Sequence, residues 1–286
     1  MRVRLTADTL TRHFPMYFPA ALILELASLG LIGGFLAGLL GIGGGMIMVP
    51  FMAIILSGYG ADPALAIKMA IATSMATIVF TSLSSVRAHH KRGAVRWDLV
   101  RGIAPGIVLG AAIASMGVFA MLKGSTLALI FALFVGFSAT QMFLDKKPAP
   151  HRQIPGMLGL GSAGSVIGFV SGLVGAGGGF ISVPFMVWCN VAIHNAVATS
   201  AALGFPIALA NAVGYVLGGL QLHNTPPYSL GYIWLPALAV IACCSIMTAP
   251  LGAAVSHRLP VKRLKKVFAI ILYLLAFYML YRGLTA

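Results

Sequence analysis

The chain has 286 residues, 59% of them hydrophobic and only 8% charged, with a net charge of +14. An ordinary soluble domain carries about 25% charged residues, and here apolar segments of span length follow one another, so a soluble core is excluded. The basic balance does not indicate a nucleic-acid binder, because the charge lies in short loops between apolar segments and not on one solvated face or tail.

The chain opens on MRVRLTADTLTRHF, which is basic, followed by ALILELASLGLIGGFLAGLLG. That apolar stretch is of span length and has no clear cleavage site, so no cleavable signal is expected. Glu25 is the carboxylate early in it. It either carries a coupling proton or sits hydrated near the outer boundary, and the idle reading is preferred. Gly30, Gly34 and Gly38 stand four apart, which lets a neighbouring helix backbone approach. GLLGIGGGMIMVPFM, Gly38 to Met52, then interrupts the segment with glycines and Pro50. Residues 20–58 are too long for one straight crossing at about 1.5 Å per residue. A helix hairpin with Gly41, Gly43, Gly44 and Gly45 at or near its tip is expected. Broken backbone at membrane depth needs partners from protein or a water-lined cavity. The N–H groups of a helix that starts there suit an anion. Bending alone, or substrate contact by Gly43, Gly44 and Gly45, would each account for the motif.

Asp62-Pro63 predicts a helix start, with Asp as the cap and Pro in the first turn. Lys68 falls inside the following apolar stretch, and Thr73 and Ser74 follow about two turns on. An ionisable residue at membrane depth is a functional candidate. A lysine also snorkels to an interface, and hydroxyls also bond their own helix backbone. RAHHKRGAVRWDLVR, 87–101, is a loop with five Arg or Lys. His89 and His90 read as solvated charge there, and Trp97-Asp98 as an interface anchor beside a helix cap. Gln141, and later Asn211 and Tyr215, are polar points in apolar helices that line a cavity or pair across helices. DKKPAPHR, 145–152, adds three Arg or Lys.

From here the sequence repeats itself. Gly168–Met186 matches Gly34–Met52 at 13 of 19 positions, and AIHNAVATS (192–200) matches AIKMAIATS (66–74) at six of nine. LGAAV at 251–255 matches LGAAI at 109–113 more weakly. The order is the same, so the chain reads as two copies of one unit, 1–144 and 157–286, joined by a linker at 145–156. In the second copy Gly164, Gly168 and Gly172 form the packing ridge, and Gly175, Gly177, Gly178, Gly179 and Pro184 form the break. His194 takes the place of Lys68, Asn195 stands beside it, and Thr199 and Ser200 repeat the hydroxyl pair. A cation and hydroxyls on matched helices suit an oxyanion. Cys189, Cys243 and Cys244 lack metal-site spacing and read as small hydrophobes in a packed interior. QLHNTPPYSL, 220–229, has no Arg or Lys, whereas HRLPVKRLKK, 257–266, has five.

Those charges orient the chain. The three basic segments face the cytoplasm by the positive-inside rule, and 220–229 faces outward. The chain then crosses an odd number of times between 152 and about 225. The matching part of the first half must do the same and ends inside at 87–101, so it began outside. The halves are therefore expected to be inverted, with both termini outside and Arg2, Arg4 and Arg12 on the less favoured side. Enzyme chemistry is not expected: the chain has five carboxylates, none paired in an apolar segment, and no H-E-x-x-H or Walker lysine. Neither a metal nor a cofactor is called for.

The paired GFLAGLLGIGGGMIMVPFM and GFVSGLVGAGGGFISVPFM, with AIKMAIATS and AIHNAVATS after them, resemble the sulfite exporter TauE/SafE family, also known as the DUF81 membrane permeases. The resemblance spans nearly the whole chain, in both halves and in order. It implies inverted repeats with helix hairpins and transport of small sulfur-containing anions, such as sulfite, sulfonates like sulfoacetate, or related organosulfur compounds. The motif positions it carries over are Gly41, Gly43, Gly44, Gly45 and Pro50, then Gly175, Gly177, Gly178, Gly179 and Pro184, with Thr73, Ser74, Thr199 and Ser200.

The expected protein is an all-α polytopic protein of the inner (plasma) membrane, built of two inverted repeats, each a Gly-broken helix hairpin followed by transmembrane helices. Its expected function is secondary transport of a small sulfur anion, outward, by alternating access around a midplane site. Substrate contacts are expected from Gly43, Gly44, Gly45, Thr73, Ser74, Gly177, Gly178, Gly179, Thr199 and Ser200, with Lys68, His194 and Asn195 as further partners. The anion and the lipid bilayer are the partners, nucleic acid is not one, and a homo-oligomer is compatible. The alternatives are a passive anion channel and a membrane partner of a sulfur-metabolising enzyme complex.

Overall fold

The computed structural model describes residues 19–41, 44–144, 153–222, 225–256 and 262–285. They form an all-α polytopic membrane protein. The helices are α1 (Ala20–Leu40), α2 (Gly45–Gly58), α3 (Pro63–His90), α4 (Trp97–Met121), α5 (Gly124–Leu144), α6 (Met157–Val174), α7 (Gly179–Trp188), α8 (Ile193–Gly219), α9 (Leu235–Ser256) and α10 (Lys262–Thr285). Eight of these are long and apolar enough to cross a membrane, while α2 and α7 are shorter. A small antiparallel hairpin, β1 (Ser229–Leu230) with β2 (Ile233–Trp234), precedes α9.

The glycine motifs stop the helices they interrupt. Gly41 has φ +67° and donates its N–H to the Ala37 carbonyl at 2.9 Å, and Gly44 follows with φ +72°. In the second half Gly175 (φ +74°) donates to the Ser171 carbonyl at 2.8 Å, and Gly178 has φ +73°. A left-handed backbone costs a residue with a Cβ about 1–2 kcal/mol. Two such turns in four residues make glycine the residue the break requires. Asp62 caps α3 as its sequence suggests: its carboxylate accepts from Ala64 N and Leu65 N, both at 3.0 Å. Asp98 differs from expectation. It lies inside the first turn of α4 with Arg96 at the cap, and its carboxylate bridges the Arg96 guanidinium at 2.6 Å.

The two halves pack by exchanging partners. α1 lies along α9, and its counterpart α6 lies along α4. α3 meets α8 at the centre, and α5 meets α10. α3 also touches α9 as α8 touches α4. Numbering the elements from 1 to 5 and from 6 to 10, every one of these contacts has its mirror. Small residues make the close pairs. A Cβ on Gly34 would stand 2.5 Å from the Ser245 Cα, and one on Gly38 would stand 1.9 Å from the Ala249 carbonyl oxygen. On the other side Gly164 and Gly168 would each meet a carbonyl of α4 at 2.2 Å. Packing at the glycine ridges is dispersion-driven, because lipid tails offer no hydrophobic contrast.

Large apolar side chains such as Leu24, Leu133, Leu158 and Phe277 are exposed on the outer helix faces, where lipid would meet them. Cys189 is buried, Cys244 is half-buried and Cys243 is exposed. The packed-interior reading therefore fails for Cys243, because α9 engages α1 and α3 and leaves its remaining face open. Gln141 and Glu25 are also on exposed faces.

Candidate functional site

The two glycine breaks meet. A Cβ on Gly45 would come within 2.1 Å of the Gly175 carbonyl oxygen and 3.1 Å of the Ala176 Cα. The start of α2 therefore lies against the second break. The Gly44 carbonyl accepts from Ile47 and Met48 N, both at 3.2 Å, and the Gly178 carbonyl accepts from Ile181 N at 3.1 Å and Ser182 N at 2.9 Å, so the N–H groups ahead of these, on Gly45 and Met46 and on Gly179 and Phe180, precede the first helical bonds. α8 ties the first break in place: the Ser200 hydroxyl donates to the Gly41 carbonyl at 3.0 Å and accepts from the Ser182 hydroxyl at 2.8 Å.

Beside the breaks lies a narrow, partly open hollow of about 10 Å³, room for about one water, whose open surface is mainly apolar. Thr81, Ser82 and Ser85 of α3 line one wall, and Ser200, Ala201 and Gly204 of α8 line the other. Ala37, Gly41 and Gly177 close its inner end. Three of the hydroxyl groups are committed within the protein. Thr81 shares a 2.7 Å bond with Ser245 and reaches the Thr77 carbonyl at 3.0 Å, Ser82 donates to the Val79 carbonyl at 3.0 Å, and Ser200 is bonded as above. Ser85 is different: it is 2% exposed and its hydroxyl has no partner.

The corresponding region of the other half is lined differently. Matching Thr73 to Thr199 places Ile207, Ala208 and Asn211 of α8 where α3 has Thr81, Ser82 and Ser85. Asn211 is fully buried and its amide donates to the Ile207 carbonyl at 2.8 Å. Its oxygen lies against Gly172 and has no hydrogen-bond partner. The buried hydroxyls of Ser74 and Ser171 also lack partners. Tyr215, one turn beyond Asn211, donates to the Gly172 carbonyl. Each unpartnered buried polar atom costs about 1–3 kcal/mol, so this side carries a standing penalty.

The residues singled out by sequence separate into groups. Ser200 and Gly177 line the cavity. Gly44, Gly45, Gly178 and Gly179 form the starts of α2 and α7. Gly43 lies outside the described residues. Ser74 is buried at the position that matches Ser200. Thr73 and Thr199 are used alike: the Thr73 hydroxyl accepts from Trp234 N at 3.0 Å, and the Thr199 hydroxyl accepts from Arg96 N at 3.0 Å. Each thus holds the chain just before the other half's third long helix. Lys68 is not in the cavity wall. Its ammonium donates to the Ala120 carbonyl at 3.0 Å, at the carbonyl end of α4, and stands over the rings of Phe119 (5.8 Å) and Tyr232 (5.5 Å). His194 is exposed in the first turn of α8, and the Asn195 amide donates to the Ala94 carbonyl at 2.9 Å.

Thr81, Ser82 and Ser85 were not anticipated. Their spacing, i, i+1 and i+4, puts them on one side of a helix, and that signal was present in TSLSS. A comparison of the two repeats passes over it, because the second copy has Ile207, Ala208 and Asn211 instead.

The profile described as Sulfite exporter TauE/SafE matches residues 26–279. A probable membrane transporter protein of Haemophilus influenzae is 37% identical over 89% of this chain and 96% of its own length. A probable membrane transporter protein of Methanocaldococcus jannaschii is 24% identical over 89% of this chain and 94% of its own. YunE of Bacillus subtilis, also named a probable membrane transporter protein, is 27% identical over 91% and 97%. No solved structure matches the chain.

Proposed function

The chain belongs to the sulfite exporter TauE/SafE family and is a membrane transporter, and from that premise we propose that it is a secondary transporter exporting small sulfur-containing anions, sulfite or a sulfonate such as sulfoacetate, across the inner membrane. The observation that carries this reading is the meeting of the two glycine breaks, where the start of α2 lies against the second break, with a narrow hollow beside them that Ser85 and Ser200 help to line. Helix N-termini with unused N–H groups favour an anion, and hydroxyls add donors without a fixed positive charge. Gly44, Gly45, Gly178 and Gly179 would present backbone N–H groups there, and Ser200 its hydroxyl.

The doubled break favours a carrier over a channel. The two matched sides differ in their residues, with Thr81, Ser82 and Ser85 on one and Ile207, Ala208 and Asn211 on the other. Alternate opening of two such sides would expose a site to one side at a time, as in transporters built from inverted repeats with broken helices. The mirrored packing of α1 on α9 and α6 on α4 fits that architecture. If 87–101 faces the cytoplasm and both termini lie outside, as the positive-inside rule suggests, the hollow would lie toward the cytoplasm, because Thr81, Ser82 and Ser85 stand on the part of α3 that leads to residues 91–96. An anion entering from that side meets a basic surface that raises its local concentration. No ATP-binding signature is present in the sequence, so an ion or substrate gradient would drive export.

Counterflow in proteoliposomes tests this. Vesicles loaded with unlabelled sulfite, and in parallel a sulfonate, should transiently accumulate the labelled anion, and the Ser74→Ala, Ser200→Ala double variant should not. Linear flux without an overshoot would replace the carrier with a channel. Absence of flux for every sulfur anion would remove the substrate class and leave the fold intact.

A further inference from the structure

We propose that the turn between α3 and α4 binds the phosphate headgroup of an anionic phospholipid, held by Arg87, Lys91 and Arg101 around the paired rings of His90 and Trp97. This site is separate from the meeting of the breaks and does not depend on which anion is transported.

Helical spacing assembles it. Arg87, His90 and Lys91 stand three and four positions apart at the end of α3, and Lys91 keeps helical backbone as its cap, so the three share a face. Trp97 and Arg101, four apart at the start of α4, share another. One contact joins the two faces: the Trp97 indole N–H donates to His90 Nδ1 at 3.2 Å, with the rings edge to face at 5.6 Å. A ring nitrogen that accepts carries no proton, so the neutral imidazole has its hydrogen on Nε2 and offers it as a donor. All five side chains are exposed. The three cations form no ion pair among the described residues, because the carboxylate beside them, Asp98, is taken by Arg96 at 2.6 Å. Arg92 turns back to the Ala88 carbonyl at 3.4 Å and stays out of the cradle. Three uncompensated positive charges around a donor N–H fit a phosphodiester, whose oxygens take charge-assisted N–H bonds from arginine and lysine.

Its place selects a lipid over a soluble phosphate. α3 ends at His90 and α4 begins at Trp97, and both are long enough to cross a membrane, so the turn lies at a membrane boundary. Trp97 is 41% exposed there, and an exposed indole at the end of a span lodges among headgroups. The matching turn of the other half, 220–234, has no Lys or Arg, so the cradle is one-sided. The turn is also tied to the core. The Asn195 amide donates to the Ala94 carbonyl at 2.9 Å, and Arg96 N donates to the Thr199 hydroxyl at 3.0 Å. The next residue, Ser200, reaches the Gly41 carbonyl at the first break. A headgroup seated on the turn therefore steadies α3, α4 and the start of α8 together.

The test is tryptophan quenching in phosphatidylcholine vesicles at low salt. Trp188→Phe leaves Trp97 as the exposed indole, since Trp234 is 1% exposed. Phosphatidylcholine or phosphatidylglycerol, brominated near the headgroup end of its chains, is added at equal mole fraction. The brominated phosphatidylglycerol should quench with an apparent affinity at least about fivefold higher, the effect of one cation beside an anionic lipid. Adding Arg87→Gln, Lys91→Gln and Arg101→Gln together should abolish the preference and leave the melting temperature in detergent unchanged, because these side chains are exposed. Trp97→Phe should abolish it too, and millimolar inorganic phosphate should leave it in place. Equal quenching by the two lipids, or a preference that survives either set of substitutions, overturns the site. A preference removed by inorganic phosphate gives the cradle to free anions and overturns the lipid assignment. No readout involves transport, so the proposed function stands or falls separately.

Discussion

Thr73 and Thr199 look equivalent by sequence, yet their environments predict different costs for the same substitution. Each hydroxyl accepts one backbone N–H, from Trp234 and Arg96 respectively, both at 3.0 Å. Valine keeps the shape of threonine and removes the acceptor. At Thr73 the stranded N–H is sealed in, since Thr73 is 0% and Trp234 1% exposed. Leaving such a donor unsatisfied costs about 1–3 kcal/mol. At Thr199 the N–H belongs to Arg96, in a half-exposed loop whose side chain reaches Asp98 in solvent. Water can replace the hydroxyl there, so the cost falls toward the ordinary net value of about 0.5–1.5 kcal/mol. For a chain of this size each kcal/mol moves the midpoint by roughly 2–4 °C. Thermal unfolding of the purified protein in detergent should therefore rank wild type above Thr199→Val above Thr73→Val, and Thr73→Ser should recover most of the loss. Counterflow by the folded fraction, measured alongside, should retain its substrate affinity in both variants. Equal destabilisation of the two would refute the solvent argument. A loss of substrate affinity with unchanged melting would refute the structural role and return both hydroxyls to the binding site.

Asn211→Leu replaces a buried oxygen without a partner by a methyl group of similar bulk, so the melting temperature of the purified protein should rise; a fall would show that the Asn211 oxygen is satisfied in the folded protein. Gly41→Ala and Gly178→Ala should each destabilise by more than about 1–2 kcal/mol, the left-handed strain alone, since a Cβ would also stand 2.7 Å from the Val197 carbonyl oxygen or 2.5 Å from the Ile207 Cδ1. Gly58→Ala, with nothing within 4 Å, serves as the neutral control in the same melting series. Gly38→Val should part α1 from α9 and reduce folded yield on size exclusion, because the contact is with backbone at 1.9 Å and cannot yield by a rotamer change. Lys68→Met should lower the melting temperature through loss of the Ala120 bond and the ring contacts, with anion affinity changed by less than about twofold; a larger loss of affinity would place the ammonium near the path after all.

By itself the sequence determined what one-dimensional spacing can encode. Apolar length set the class, since a span is counted along the chain. The doubled glycine motif foretold the breaks, since a left-handed turn depends on the residue that occupies it, and Gly41, Gly44, Gly175 and Gly178 all adopt one. Asp62-Pro63 marked a helix start for the same local reason. Ridges such as Gly30, Gly34 and Gly38 announced close packing, because periodicity fixes which residues share a face. Partners lie beyond that reach. That Gly38 meets Ala249, that the Thr73 hydroxyl holds Trp234 and that Lys68 reaches back to the end of α4 each join residues on different helices. Repetition was even misleading where the halves diverge: it drew attention to matched residues and away from Ser85, whose counterpart is Asn211. Whether a polar side chain lines a hollow or is sealed in packing depends on how two helices lean on each other across the breaks. Only the tertiary structure decides that, because a cavity is the space several distant segments leave between them and no one segment contains it.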